Sequence, residues 1–233
     1  MKYKRVLIKL SGEALAPASG SGIDFELAQG VCKKIGECVK MGVEVAVVIG
    51  AGNFWRGRQG GKMDRTRADQ MGMLATMINC IAMKDTLEGL GIPAALFSSS
   101  PMPAVAKTFV KEDVLDALKN GKVALLGCGT GSPYFTTDTA AALKAAEIEA
   151  DVVLMAKNID GVYSADPRNN PNATKYDELT FSELLSKHLK VIDAAAAALC
   201  EDNNLPVLIF ELGDGSGLFR ALSGENVGTV LHQ

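Results

Sequence analysis

Histidine is almost missing from this chain: only His188 and His232 occur, and no metal site or Ser-His-Asp triad can be assembled from a pair so spaced. The five cysteines, Cys32, Cys38, Cys80, Cys128 and Cys200, are odd in number and never form a C-x-x-C pair. They fit neither a disulfide framework nor a zinc site, and read as small core residues. Positive charge is not in excess either, with 24 Lys+Arg against 27 Asp+Glu and a net charge of −3. Nucleic-acid binding needs a concentrated basic surface, so no nucleic-acid partner is expected, only a local basic pocket. No apolar run reaches the roughly 18 residues of a membrane span, so no membrane partner is expected. The opening MKYKRVLIKL places basic residues before an apolar run, but Lys9 breaks the run and no small-residue cleavage pattern follows. The expected location is the cytoplasm.

What is present is a chain of 233 residues, 48% apolar, able to bury a sizeable core. Short, nearly continuous β-branched runs recur at residues 6–8, 43–49, 94–97, 123–126, 152–155 and 207–210. Such runs are expected of strands covered on both faces. Helical patterns lie between them. In residues 24–41, Leu27, Val31, Ile35 and Val39 recur every four positions and Gly42 ends the segment. Further helices are expected at about 69–90, 112–120, 137–146 and 193–203. The alternation predicts an α/β fold, a mostly parallel sheet sandwiched between helices, in a single domain over residues 1–233. Residues 162–189, with Pro167, Pro171 and several asparagines, read as a less regular lobe.

In open α/β sheets ligands bind beyond the carboxyl ends of the strands. Three such ends run into small residues: Lys9-Leu10-Ser11-Gly12, Gly50-Ala51-Gly52-Asn53, and Gly127-Cys128-Gly129-Thr130-Gly131-Ser132. Loops of this kind bring backbone N–H groups close to an anion, and three on one sheet edge suit a long polyanionic ligand. Neither G-x-x-x-x-G-K-[ST] nor G-x-G-x-x-G occurs. Lys9 interrupts an apolar strand end, where its ammonium needs an anionic partner unless it snorkels at an edge. Arg56 would set a guanidinium fork near the same place, or lie on the surface. Asp138 and Asp193 stand at helix starts, where a carboxylate caps the first turn or, beside phosphates, orients lysines or holds Mg²⁺.

Taken together, KLSGEAL, VVIGAGNFWRG, ADQMGMLATMIN, GTGSPYFTTD, EIEADVVLMAKNIDGVYSADP and GTVL resemble the bacterial uridylate kinases of the amino acid kinase family, in order from about Tyr3 to Leu231. The resemblance implies transfer of the γ-phosphoryl group of ATP to UMP in pyrimidine nucleotide biosynthesis. It implies Mg²⁺ carried by ATP rather than a resident metal, a cytoplasmic enzyme, and a homohexamer. By the same resemblance Lys9, Leu10, Ser11, Gly12, Gly52 and Arg56 face ATP and the transferring phosphate, with Asn158, Tyr163 and Asp166 on the adenosine side. Ala51, Asp69 and the stretch Thr130, Gly131, Ser132, Pro133, Tyr134, Phe135, Thr136 and Thr137 would hold UMP, Asp69 accepting from ribose hydroxyls. The catalytic set implied is Lys9, Arg56, Asp138 and Asp193.

Two departures from the family pattern matter. Ala51 replaces the middle glycine of a GGGN loop, tolerable if its φ is unstrained. Residues 98–122 lack the arginines that relatives use, with the preceding helix, for a GTP effector site, and only Lys84 clearly remains, near Glu88 and Leu96. Two other readings compete: a family member phosphorylating a carboxylate or carbamate, and a non-catalytic nucleotide binder. Asp69 with GTGSPYFTTD speaks against the first, and the retention of Lys9 and Arg56 against the second.

Overall fold

The computed structural model describes residues 1–55, 61–213 and 216–233. The apolar runs become β1 (Arg5–Leu10), β2 (Glu44–Ile49), β3 (Ala94–Ser98), β5 (Val123–Gly127), β6 (Val152–Lys157) and β10 (Val207–Glu211). Two short strands, β4 (Lys107–Thr108) and β9 (Glu178–Thr180), and β11 (Gly228–His232) complete a nine-stranded sheet in the order β4-β3-β5-β2-β1-β6-β10-β11-β9. Every pairing in it is parallel except β10 with β11.

Alternation along the strands divides the core into two layers. Val6, Ile8 and Leu10 of β1 pack on one face with helices α1 (Phe25–Lys40) and α2 (Arg65–Gly89). Leu7 packs on the other with α3 (Lys111–Lys119), α4 (Thr137–Glu147), α5 (Phe181–Ser186) and α6 (Ala194–Asp202). A last helix, α7 (Ser216–Ser223), joins the first layer through Leu218, Ala221 and Leu222. All five cysteines are buried and free. Among the described residues, no helix is long and apolar enough to cross a membrane.

Several boundaries differ from the sequence reading for identifiable reasons. Helix α2 begins four residues before Asp69, because the Asp64 carboxylate accepts from the Arg67 amide 3.1 Å away and caps the helix there. Helix α4 is capped by Thr136, not Asp138, leaving that carboxylate free for other partners. Residues 162–189 form loops with short elements, as expected of a less regular lobe. Strands β7 (Val162–Tyr163) and β8 (Lys175–Tyr176) form a hairpin, β9 joins the main sheet, and a Thr180–Glu183 capping box starts α5.

After β1 the chain builds β2 on one side, and it returns much later to lay β6 on the other. The crevice beyond the carboxyl ends of β1, β2 and β6 is therefore a topological switch point, where α/β sheets bind ligands.

Candidate active site

A cavity of about 640 Å³ opens at that switch point. Its floor is the pair of glycine loops. A Cβ on Gly12 would stand 2.4 Å from Asn53 Oδ1 and 2.6 Å from the Gly50 carbonyl oxygen, so the backbones touch in a way only glycine permits. Asn53 and Asn79, both buried, exchange side-chain hydrogen bonds of 2.9 and 2.8 Å. Asn53 also donates to the Gly22 carbonyl at 2.8 Å and Asn79 to the Gly50 carbonyl at 2.7 Å. This amide pair pins the loop after β2 against α2 with its polar groups satisfied. Ala51 is not among the described non-glycine residues with positive φ, so its methyl costs no backbone strain.

Period-two alternation puts Leu7 and Lys9 of β1, and Val153, Met155 and Lys157 of β6, on the α4 side of the sheet. Both lysines converge there on Asp138. Lys9 Nζ lies 2.8 Å from Oδ1, an ion pair without hydrogen-bond alignment, and Lys157 Nζ donates to Oδ2 at 2.7 Å. All three side chains are at least four-fifths buried. Burial alone would raise the Asp138 pKa, but the two lysines together hold it below the usual carboxylate range. Burial pushes Lys157 below the ordinary lysine value, the nearby Lys9 charge pushes the same way, and Asp138 offsets this only in part. One carboxylate between two ammonium groups leaves the cluster net positive. Such a donor set suits phosphate oxygens rather than a resident cation. Among the described residues no group of three or more His, Cys, Asp or Glu could hold a metal ion.

The opposite wall belongs to α2 and the loop after β5. Thr76 Oγ1 accepts from the Cys128 amide at 2.9 Å, tying that loop to the helix. Farther along the loop, Asp69 Oδ2 accepts from the Tyr134 amide at 2.9 Å and from Arg65 Nε at 2.8 Å. Asp69, Thr130, Ser132, Phe135, Thr136 and Thr137 line the cavity with Lys9, Ser11, Gly12, Ala51, Gly52 and Asn158. Gly131, Pro133 and Tyr134 sit on the same loop but are not among the lining residues. Leu10 turns its side chain into the core, while its carbonyl oxygen accepts from the Gly50 amide at 2.9 Å.

The remaining expected residues fall elsewhere. Asp193 caps α6 by accepting from the Ala196 amide at 3.0 Å, and also takes the hydroxyls of Thr136 and Thr139. It does not itself line the cavity but touches the lining residue Thr136. Tyr163 donates its hydroxyl to Asp160 at 2.9 Å, and exposed Asp166 pairs with Arg168 within its own turn; neither lines the cavity. Asn158 lines both this cavity and a neighbouring one of about 480 Å³ bounded by α1 and the end of β10. Arg56 lies outside the described residues. Lys157, Arg65 and the Asn53–Asn79 pair were not singled out from sequence. The continuation of Val153 and Met155 to Lys157 is the sequence signal for the lysine, and an Asn inside the apolar run of residues 77–83 is the signal for Asn79.

Comparison with known proteins places these features. Residues 4–211 match the model of the amino acid kinase family. A UMP kinase from Bacillus anthracis is 35% identical with a TM-score of 0.96, covering 100% of this chain and 97% of its own. A UMP kinase from Ureaplasma parvum is 37% identical with a TM-score of 0.94, over 100% of both chains. A uridylate kinase from Archaeoglobus fulgidus is 30% identical, TM-score 0.74, over 97% of this chain and 99% of its own.

Proposed function

This chain belongs to the amino acid kinase family, and on that premise we propose that it transfers the γ-phosphoryl group of ATP to UMP, giving ADP and UDP. The observation that carries the reading is the positive Lys9–Asp138–Lys157 cluster facing, across one cavity, the Asp69 carboxylate and the loop around Thr130–Thr137. Cations lie where two phosphates would meet, and a hydroxyl acceptor lies where a ribose would lie.

Phosphoryl transfer between two anions depends on alignment and charge neutralisation. The acceptor phosphate is already a nucleophile at neutral pH, so no general base is needed. Lys9 and Lys157 neutralise charge on the transferring group, and Asp138 keeps both ammonium groups aimed into the cavity. The backbones of Gly12 and Gly52 would approach the phosphates closely, and Arg56, outside the described residues, is assigned a guanidinium fork by the resemblance alone. Asp193 positions Thr136 rather than touching substrate. Mg²⁺ carried by ATP would supply charge shielding of its phosphates, beside the ammonium groups of Lys9 and Lys157. Asn158, which lines the cavity, is assigned to the adenosine side, and the resemblance alone adds Tyr163 and Asp166, which do not line it. The test is ADP release from ATP with UMP, CMP, glutamate or carbamate offered singly: UMP should give the highest kcat/KM, and a better carboxylate or CMP would overturn the reading.

The titration of Lys157 gives a second expectation. Its folded pKa lies below 10.5, so its charge is lost as pH rises through that lower value. The alkaline limb of kcat/KM, which reports the free enzyme, should therefore begin below pH 10.5, and Lys157→Arg, which stays charged, should move it upward. A limb unmoved by that substitution would assign the titration to another group.

The whole chain, residues 1–233, is proposed to work as one domain in the cytoplasm, in pyrimidine nucleotide synthesis. Helix α2 leaves Met71, Leu74, Ile78 and Ile81 between 39% and 52% exposed in one stripe, which favours burial against another copy and a homohexamer. GTP regulation should be weak. The Lys84 ammonium is engaged by both oxygens of Glu88 at 2.8 and 2.9 Å, and one cation already paired in this way is a poor host for a triphosphate. GTP should change kcat/KM for UMP by less than about twofold. A severalfold activation abolished by Lys84→Ala would contradict this.

A further inference from the structure

Arg65 occupies the first position of α2, lines the cavity, and has no part in the catalytic scheme above. Three contacts meet at it. Its Nε donates to Asp69 Oδ2 at 2.8 Å, one helical turn on. The same oxygen accepts the Tyr134 amide, from a loop 65 residues away in sequence. The Arg65 guanidinium lies 5.3 Å from the centre of the Tyr134 ring. Among the described residues, both donors to Asp69 land on Oδ2, and Oδ1 receives none.

An i,i+4 ion pair on a helix surface ordinarily contributes little. This one differs, because the Asp69 side chain is only 14% exposed and shares its oxygen with a backbone amide of the opposite wall. Tyr134 reaches that amide geometry with φ at +71°, a left-handed conformation that L residues enter only when their surroundings hold them there. The guanidinium over the ring supplies such a hold.

Building on the UMP reading, we propose that Arg65 is a positioning residue for the acceptor nucleotide. It fixes Asp69 so that Oδ1 faces the ribose, and it ties the acceptor loop to α2 through Tyr134. The consequence is specificity: the ribose hydroxyls are read by a carboxylate whose orientation Arg65 sets. A substrate lacking the 2′-hydroxyl has less to lose when that orientation is relaxed.

The test compares the native enzyme, Arg65→Gln and Arg65→Lys with UMP and dUMP at saturating ATP, with KM for ATP and the melting temperature measured beside them. Arg65→Gln should raise KM for UMP about tenfold, the scale of one charge-assisted hydrogen bond, with kcat within about threefold of native. KM for ATP should not move, and the UMP-over-dUMP ratio of kcat/KM should fall. The coupling between the substitution and the missing hydroxyl is then read as in a double-mutant cycle. Arg65→Lys, which keeps the charge without the planar fork, should recover part of the loss. An unchanged KM and ratio in Arg65→Gln would overturn the proposal. So would a uniform loss across kcat, both KM values and the melting temperature, which marks a merely structural role. Failure of the UMP reading would show separately, in a native enzyme that leaves UMP unphosphorylated, and the proposal would fall with it.

Discussion

Replacing Lys9 with Met should lower kcat by about three orders of magnitude while leaving the fold intact. Methionine approximates the buried stem, so the strand and its neighbours keep their packing. What disappears is a cation at the carboxyl end of β1, in a pocket where a charge acts more strongly than in water. Asp138 retains Lys157 at 2.7 Å, so no buried carboxylate is left without a cation. The effect should fall mainly on kcat, because the lysine acts on charge that shifts during transfer. Steady-state kinetics with ATP and UMP, beside a thermal melt, would check this. A Lys9→Met enzyme within tenfold of native kcat would remove Lys9 from the chemistry.

Asp138→Ala should damage stability as well as activity. Two ammonium groups that shared one buried carboxylate would then face each other, and breaking such a buried pair costs about 3 kcal/mol. The pH dependence identifies the cause. Lys157 already titrates below its unfolded value of 10.5, and without Asp138 it should titrate lower still. Between the folded and unfolded values the unfolded chain binds more protons, so stability rises with pH in that window. The deficit of Asp138→Ala should therefore be largest near neutrality and shrink in the alkaline range. Urea unfolding at both conditions measures it, and a variant as stable as native at neutral pH would contradict the ion-pair account.

The six long strands were legible because burial on both faces writes a continuous apolar run into the sequence, and Lys9 was legible because it breaks one. The short strands were not. Lys107–Thr108 and Glu178–Thr180 carry little pattern of their own and are ordered by the neighbours they pair with. Asp138 shows where local reasoning stops. A carboxylate just inside a helix reads as a cap, but Thr136 takes that duty, and two lysines from separate strands claim the aspartate instead. Asp193 shows the reverse, since it does cap its helix and reaches the cavity only through the Thr136 hydroxyl. The role of Lys157 is not legible in the sequence, because it lies in the register of β6 beside β1, a relation between segments about 150 residues apart.

If one cavity passes a phosphoryl group from ATP to UMP, ATP labelled in its γ-phosphoryl group and supplied with UMP should leave label in the β-phosphoryl of UDP, in amounts equal to the ADP formed. Label found only in inorganic phosphate, or on a carboxylate acceptor in preference to UMP, would contradict it.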